Sequence, residues 1–404
     1  MSSLLLKSDL VVALDQDDRI LKEAYIIVED DRIIEMGFQK DLEEHRRFDE
    51  VLELKNRLVM PGLINAHDHL EFGIFPRLGR GPYPDARAWA LDIYHPEETP
   101  IRERLQIAKA TRLFWGGLKN LLSGVTSVCH HNQYLPQVFD SPFPVRVMSE
   151  YGWSHSLDFS KEVRSEHQAT PAHAPYVIHL AEGTSERSRH ELSDLDQKGM
   201  LNSQTVLVHG VALKKEDLEL VRQRGSGLVW CPSSNLFILG KTLDLEDLRC
   251  GPAVALGNDS PLTADGDLLD EIQLTCRLGA SPRDIYPMVT NTAATILKLK
   301  QGEGSIVAGG LADLLVVRNN DSSPADRLVS LRRHDIEMVL TGGSITLSSQ
   351  EFARHLPQAR LSQMQLINYD GLKYWVAFDV LSYLNETVRY LGDELVIAGK
   401  RLGV

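Results

Sequence analysis

A short apolar run, Val59-Met60-Pro61-Gly62-Leu63-Ile64-Asn65-Ala66, closes on His67-Asp68-His69. On a β-strand, side chains two positions apart point the same way. His67 and His69 therefore present both imidazoles to one point in space, as a pair of metal ligands must. The pattern recurs downstream. Tyr176-Val177-Ile178 runs into His179, Thr205-Val206-Leu207-Val208 runs into His209, and Ala253-Val254-Ala255-Leu256 runs through Gly257 and Asn258 into Asp259. Four strand-like segments thus each end in a side chain able to bind a transition metal. Imidazoles with a carboxylate suit zinc or ferrous iron, whereas calcium and magnesium want mostly oxygen. Core histidines satisfied by backbone carbonyls would explain one such ending; four in one chain argue against that reading.

Side chains at the ends of separate strands meet only in a fold that brings those ends together. In a (β/α)8 barrel the C-terminal strand ends converge on one mouth, and catalytic residues come from several of them. Together with these strands, five motifs resemble the amidohydrolase superfamily, in the branch of cytosine, guanine and adenosine-type deaminases and triazine chlorohydrolases. They are Pro61-Gly62-Leu63-Ile64-Asn65-Ala66-His67-Asp68-His69, His179-Leu180-Ala181-Glu182, Val208-His209-Gly210, Cys231-Pro232-Ser233-Ser234-Asn235 and Asn258-Asp259-Ser260, and the resemblance extends to about residue 350. It implies that His67, His69, His179 and Asp259 bind one divalent metal per chain, zinc or alternatively iron. It also implies that Glu182 shuttles protons and that His209 contacts the attacking water or the substrate, making Glu182, His209 and Asp259 the catalytic set.

The reaction expected is hydrolytic deamination of an N-heterocycle, a purine, pyrimidine, pterin or triazine, by a metal-activated water. The same machinery also serves dechlorination, dealkylamination or opening of a cyclic amide, and a non-catalytic metal-binding scaffold is the alternative of another class. Candidate substrate contacts are Trp89, in an aromatic-bearing loop from Glu71 to Glu98, one of His130 and His131 after the second strand, Glu150 after the third, and Asn235. Adjacent histidines on a strand face opposite ways, so only one of that pair looks into the mouth.

The other elements follow from pattern and punctuation. Residues 1–58 read as short strands, with an apolar run from Asp9 to Leu14 and a hairpin turning at Glu29-Asp30-Asp31-Arg32. Residues 304–350 supply further strands, with a turn at Gly342-Gly343. Neither end holds enough strands for a stable sheet, so one small β-sandwich built from both, with the barrel of residues 59–303 between, is the economical arrangement. Thr99-Pro100 opens a long helix that Gly124 ends, and Ser281-Pro282 opens another. In the extension 351–404, Asp379 caps a helix to Leu391 that stops at Gly392, with a stripe of Leu381, Leu384, Val388 and Leu391. That stripe docks on its own domain or forms a dimer contact, and a homodimer is expected.

One departure from the family pattern stands out. Only residues 154–175 separate Trp153 from Tyr176, while a βαβ unit takes about 30. The fourth βα unit is therefore short or missing and the barrel deformed or seven-stranded. The bridging lysine that binuclear relatives carry on the fourth strand has no counterpart, so a mononuclear site follows, and substrate identity does not carry over from any relative.

Composition excludes other classes. A formal charge of −13, from 43 basic and 56 acidic residues, argues against nucleic acid or an anionic membrane as partner and leaves a small molecule. The N-terminus lacks a basic n-region and a long apolar run. Cys129, Cys231, Cys250 and Cys276 show no paired spacing, which suits a reducing cytoplasm, and Cys231 reads as a buried core thiol.

Overall fold

The computed structural model describes residues 3–13, 19–43, 45–392 and 394–404. Leu14, where the first apolar run was expected to end, lies outside the described residues, as do Met1 and Ser2.

The barrel strands are Leu63–Asp68, Val125–His130, Arg146–Val147, Gly152–Ser156, Tyr176–Leu180, Thr205–His209, Gly227–Trp230 and Val254–Leu256. They run parallel to their neighbours. Helices cover their outer faces, which is why strands such as Tyr176–Leu180 and Thr205–His209 are buried at every position and read as unbroken apolar runs. Inside, Ile64, Ala66, Val177, Val206, Val208, Val229 and Ala255 pack as one cluster.

Arg146–Val147 pairs with Val125–His130, and Gly152–Ser156 pairs with Tyr176–Leu180. Only residues 148–151 join them, and a crossover between parallel neighbours takes a dozen residues or more. The two pieces are therefore successive halves of one path up the wall, each zipped to a different neighbour. One helix, Val163–Ala169, leads on to Tyr176. The barrel is thus the deformed, seven-path version that the short spacing pointed to.

On the other side the barrel closes across a seam. The strands form a three-stranded and a five-stranded sheet. Between the first and last strands, the described residues show a single bridge, Asp68 with Asp259, in which the Asp259 N–H donates to the His67 carbonyl at 3.0 Å. Gly257 permits this approach, because a Cβ there would sit 2.7 Å from the Cβ of His67.

Both chain ends join one sheet, eleven-stranded among the described residues. The two ends meet in the antiparallel pairing of Glu50–Pro61 with Leu314–Arg318, Met60 opposite Leu315. The hairpin over Asp30 and Asp31 forms as expected, and so does the turn at Gly342-Gly343, whose φ values of 53° and 73° are those of a type I′ turn. The extension adds four strands at one edge, Gln365–Tyr369, Leu372–Val376, Leu395–Ile397 and Lys400–Gly403.

Two helical expectations need correction. The helix expected from Thr99 to Gly124 is two, Ile101–Leu105 and Lys109–Leu121. Glu386, from the far end of the chain, accepts from the Ala108 N–H at 2.9 Å and so satisfies an amide at the start of the second helix. The helix Val380–Leu391 begins and stops where read, capped by Asp379. Its inward face, however, is Val380, Tyr383, Leu384, Thr387 and Leu391; Leu381 is 45% exposed. It docks on the chain's own barrel helix, with Tyr383 stacked on Phe114 at 3.7 Å. No helix among the described residues is long and apolar enough to cross a membrane.

Candidate metal centre and active site

The strand ends deliver the histidines as the alternation requires. One nitrogen from each of His67, His69 and His179 lies within 4.8 Å of the others, and ligand atoms of His67, His209 and Asp259 satisfy the same limit. The Nε2 atoms of His179 and His67 are 3.0 Å apart. Asp259 Oδ1 lies 3.5 Å from Nε2 of His67 and 3.6 Å from Nε2 of His69. Donors bound tetrahedrally at zinc's usual 2.0–2.1 Å stand about 3.4 Å apart, so this set fits such an ion. The other oxygen of Asp259 is tied back, accepting from the Ser234 hydroxyl at 2.5 Å and from Thr263 at 3.1 Å. One carboxylate oxygen is thereby aimed at the histidines.

Electrostatics agree with ligation. Burial pushes His67 and His69 below the ordinary imidazole value, and His179 well below it, a shift toward the neutral ring that a metal requires. Burial would raise Asp259, but the hydrogen bond from His67 and the surrounding histidines outweigh it and hold the carboxyl well below its ordinary value. Glu182 goes the other way. Burial, with the charge of Asp259 beside it, pushes its carboxyl well above the usual range, and Oε1 sits 3.5 Å from His209 Nε2. A pair of adjacent carboxyls shifted in opposite directions is the division of labour that acid–base chemistry needs.

Backbone strain gathers here. Ala181, His209 and Asp259 adopt φ of 54°, 74° and 57°. Such left-handed positions cost about 1–3 kcal/mol each and persist only where the surroundings hold them. Glu191 supplies part of that hold by accepting from the Ala181 N–H at 2.6 Å, and burial pushes its own carboxyl up to about 7. Asn235 Oδ1 holds His209 Nδ1 at 2.9 Å.

Above this floor opens a cavity of about 640 Å³ whose walls include Phe72, Trp89, Ile93, Tyr94, Trp153 and Phe159. Trp89 belongs to a helix, Ala86–Ile93, within the stretch from Glu71 to Glu98 expected to be a loop. The segment before it is stitched to the Glu182 turn: the Ala86 N–H donates to the Glu182 carbonyl at 3.0 Å, and the Thr184 N–H donates to that of Pro84 at 2.8 Å.

Of the expected substrate contacts, Trp89 and His131 line this cavity. The other three do not. His130 points back into the protein, with Nε2 3.6 Å from Glu71 and Nδ1 accepting from the Leu70 N–H, as the opposite facing of adjacent residues demands. Glu150 lies on the connection between the two half-strands and lines a separate cavity of about 630 Å³ that includes Arg146, His173 and Leu299, where its carboxylate is 3.3 Å from His173. Asn235 is buried behind His209 and does not line this cavity. The sequence reading missed His155, which lines the cavity beside His179 and which burial lowers to about 4. Its signal was the alternation Trp153, His155 on the upper half-strand, hidden because the path is broken. Cys231 is buried, and burial raises its thiol well above the ordinary value.

Comparisons with known proteins agree with this geometry. The chain is 26% identical over 412 residues to a 5-methylthioadenosine/S-adenosylhomocysteine deaminase of Pyrococcus furiosus, covering 82% of this chain and 94% of that one. A deaminase of the same description from Clostridium tetani is 23% identical, with 89% and 96% covered. Among solved structures, an adenosine deaminase from Xanthomonas campestris with bound zinc superposes with a TM-score of 0.74 at 16% identity over 96% of this chain and 98% of that one. Atrazine chlorohydrolase TrzN from Arthrobacter aurescens complexed with zinc gives 0.70 at 16% over 96% and 100%. Residues 166–346 match the amidohydrolase family, and the chain carries an amidohydrolase family domain on a barrel of that fold.

Proposed function

We propose that this protein is a metal-dependent hydrolase that deaminates a purine nucleoside or a closely related N-heterocycle, with one zinc ion, or alternatively iron, held by His67, His69, His179 and Asp259. The observation that carries the reading is the pairing of that donor set with Glu182. A buried carboxyl, its proton affinity raised by burial, faces His209 Nε2 at 3.5 Å on the floor of an aromatic-walled cavity. The relatives named 5-methylthioadenosine/S-adenosylhomocysteine deaminases support the substrate class.

When bound, a divalent metal supplies a water acidic enough to serve as nucleophile at neutral pH and polarises the electrophilic centre. The chain's own residues do the rest. Trp89 and Trp153 offer faces on which a planar heterocycle stacks. Glu182 in its acid form gives a proton to a ring nitrogen, and as carboxylate it takes one from the nucleophile and delivers it to the departing amine. His209, whose Nδ1 is bonded to the Asn235 side-chain oxygen, presents its Nε2 lone pair to that carboxyl. Asp259 keeps one oxygen on the site because Ser234 and Thr263 hold the other.

The test is metal content per chain by elemental analysis, together with ammonia release from adenosine-type nucleosides and free heterocycles. About one zinc or iron per chain is expected, with ammonia as product and a fall of about 10²- to 10⁴-fold in kcat for Glu182→Gln. Chloride, an alkylamine or a ring-opened acid in place of ammonia would reassign the leaving group. A chain that stays metal-free after reconstitution would overturn the reading.

A further inference from the structure

Lys119 has no exposed surface at all. It sits on the helix Lys109–Leu121, behind the first barrel strand, and its Nζ lies 2.8 Å from Asp68 Oδ2 and 2.7 Å from Asn258 Oδ1. A fully desolvated ammonium costs several kcal/mol before its partners are counted. A methionine would fill the same helix position without that penalty. Its two acceptors show what it is placed to do.

Asp68 stands between the ligands His67 and His69, and Asn258 immediately precedes Asp259. In both places the chain alternates. The ligand side chains turn into the mouth, and the intervening residues turn outward to the helix behind. Lys119 therefore grips the back of both ligand-bearing ends at once. Those ends lie on opposite sides of the seam, where the backbone among the described residues makes only the one bridge between Asp68 and Asp259. His67 and His179 lie on strands paired by ladders elsewhere, with His69 just past the end of the first, but the relation of His67 and His69 to Asp259 depends on what crosses this seam.

The surrounding amides complete the arrangement. Asn120 Nδ2 donates to Asp68 Oδ2 at 2.8 Å, and Asn65 Nδ2 donates to Asn120 Oδ1 at 2.8 Å. Asn65 Oδ1 accepts from the Asn258 N–H at 3.0 Å. The Lys119 charge is thus met by Asp68, and across the seam its Nζ adds a charge-assisted hydrogen bond to Asn258 beside the one that Asn65 accepts from the Asn258 N–H.

We propose that Lys119 is a positioning residue for the metal centre. It clamps the His67-Asp68-His69 end to the Asn258-Asp259 end, so that Asp259 Oδ1 stays within ligand distance of the histidines. This rests on the metal-site reading above, and the two are separable by experiment. Residues that orient metal ligands from behind change metal affinity by about 10- to 100-fold when altered.

The measurement is zinc affinity by competition with a chromophoric chelator, with the melting temperature of the metal-free protein recorded alongside. Lys119→Met breaks the clamp but leaves Asp68 as an unpaired buried charge, which threatens folding. Asn258→Ala breaks it while keeping the Lys119–Asp68 pair, and Asn258→Asp restores an acceptor for the ammonium. The expected result is a zinc affinity about 10- to 100-fold weaker for Asn258→Ala, and for Lys119→Met where it folds, with Asn258→Asp within about threefold of wild type. Asn258→Ala binding zinc as tightly as wild type would overturn the proposal and leave Lys119 a structural cation. Wild type that binds neither zinc nor ferrous iron would instead overturn the metal-site reading.

Discussion

Glu271 shows how far burial alone can move a side chain near this site. It is fully buried, accepts from the Ser233 N–H at 2.9 Å and from the Ser233 hydroxyl, and burial pushes its carboxyl up to about 8. The folded value lies above the unfolded one of about 4.3. The stabilisation from its neutral form is therefore complete below about pH 4 and is lost as pH rises through about 8. Glu271→Gln keeps an acceptor for the amide and adds a donor for the hydroxyl without the titration. Melting curves of the two proteins should coincide near pH 4 and separate in the variant's favour above pH 6, by on the order of a few kcal/mol at pH 9; a constant difference across pH would refute the assignment. A second pair of substitutions tests the cavity. Trp89→Ala should raise KM about tenfold or more through loss of a stacking face, while Glu150→Ala, at the separate cavity with His173, should leave kcat/KM within about twofold. At this scale the sequence made the candidate metal donors legible, because period-two alternation and strand ends constrain where a side chain points. It could not show the left-handed φ of Ala181, His209 and Asp259, which tertiary contacts impose. Nor could it place Asn235, whose role depends on a histidine 26 positions earlier.

Caps and stops were legible at the scale of elements, and faces were not. Asp379 and Gly392 bound the last helix as read, and Ser281 caps its helix by accepting from the Asp284 N–H. The buried face was misjudged because an apolar stripe assumes an apolar partner. The partner here is aromatic and polar: Trp115 Nε1 donates to Thr387 Oγ1 at 2.7 Å, and Thr111 donates to Glu386 Oε2 at 2.5 Å. Thr387 and Glu386 thus lie against the barrel although neither scores as hydrophobic. The same long-range contact explains why the helix expected from Thr99 to Gly124 is divided, since its second half takes a cap from a residue 278 positions away. Tyr383→Ala should remove the stack on Phe114 and cost about 2–3 kcal/mol by urea unfolding, with metal content per folded chain unchanged. A loss under about 0.5 kcal/mol would mean the helix is held by its polar contacts instead. The divided strand was half legible: spacing announced that a βα unit was lacking, but not that one path would be shared between two neighbours.

For the molecule as a whole, the two ends of the chain hold one another and the barrel together. Strands from residues 3–61 and 314–349 lie side by side up to one edge of the sheet, and the extension carries it onward on the other side by pairing Ser344–Ser349 with Leu372–Val376, Leu347 opposite Val376. The extension then turns back to lay Val380–Leu391 on the barrel, where Trp115 has no exposed surface. Family resemblance ended near residue 350, and only the stripe on the last helix pointed to a tail docked on its own domain; its contacts with Phe114 and Trp115 make it integral. Truncation after Gln350 would open the edge of Ser344–Ser349 to other chains and uncover Phe114 and Trp115 together. An unpaired strand edge beside exposed aromatic surface is an aggregation template. The truncated chain should therefore appear mainly in the insoluble fraction or as large particles by light scattering, while the full chain stays dispersed. Because the uncovered helix also carries Lys119, any soluble truncated protein should bind zinc more weakly than the full chain. A truncated chain that stays dispersed and binds zinc at full affinity would show that the tail is an appendage and that the barrel, with the sheet through residue 349, is sufficient.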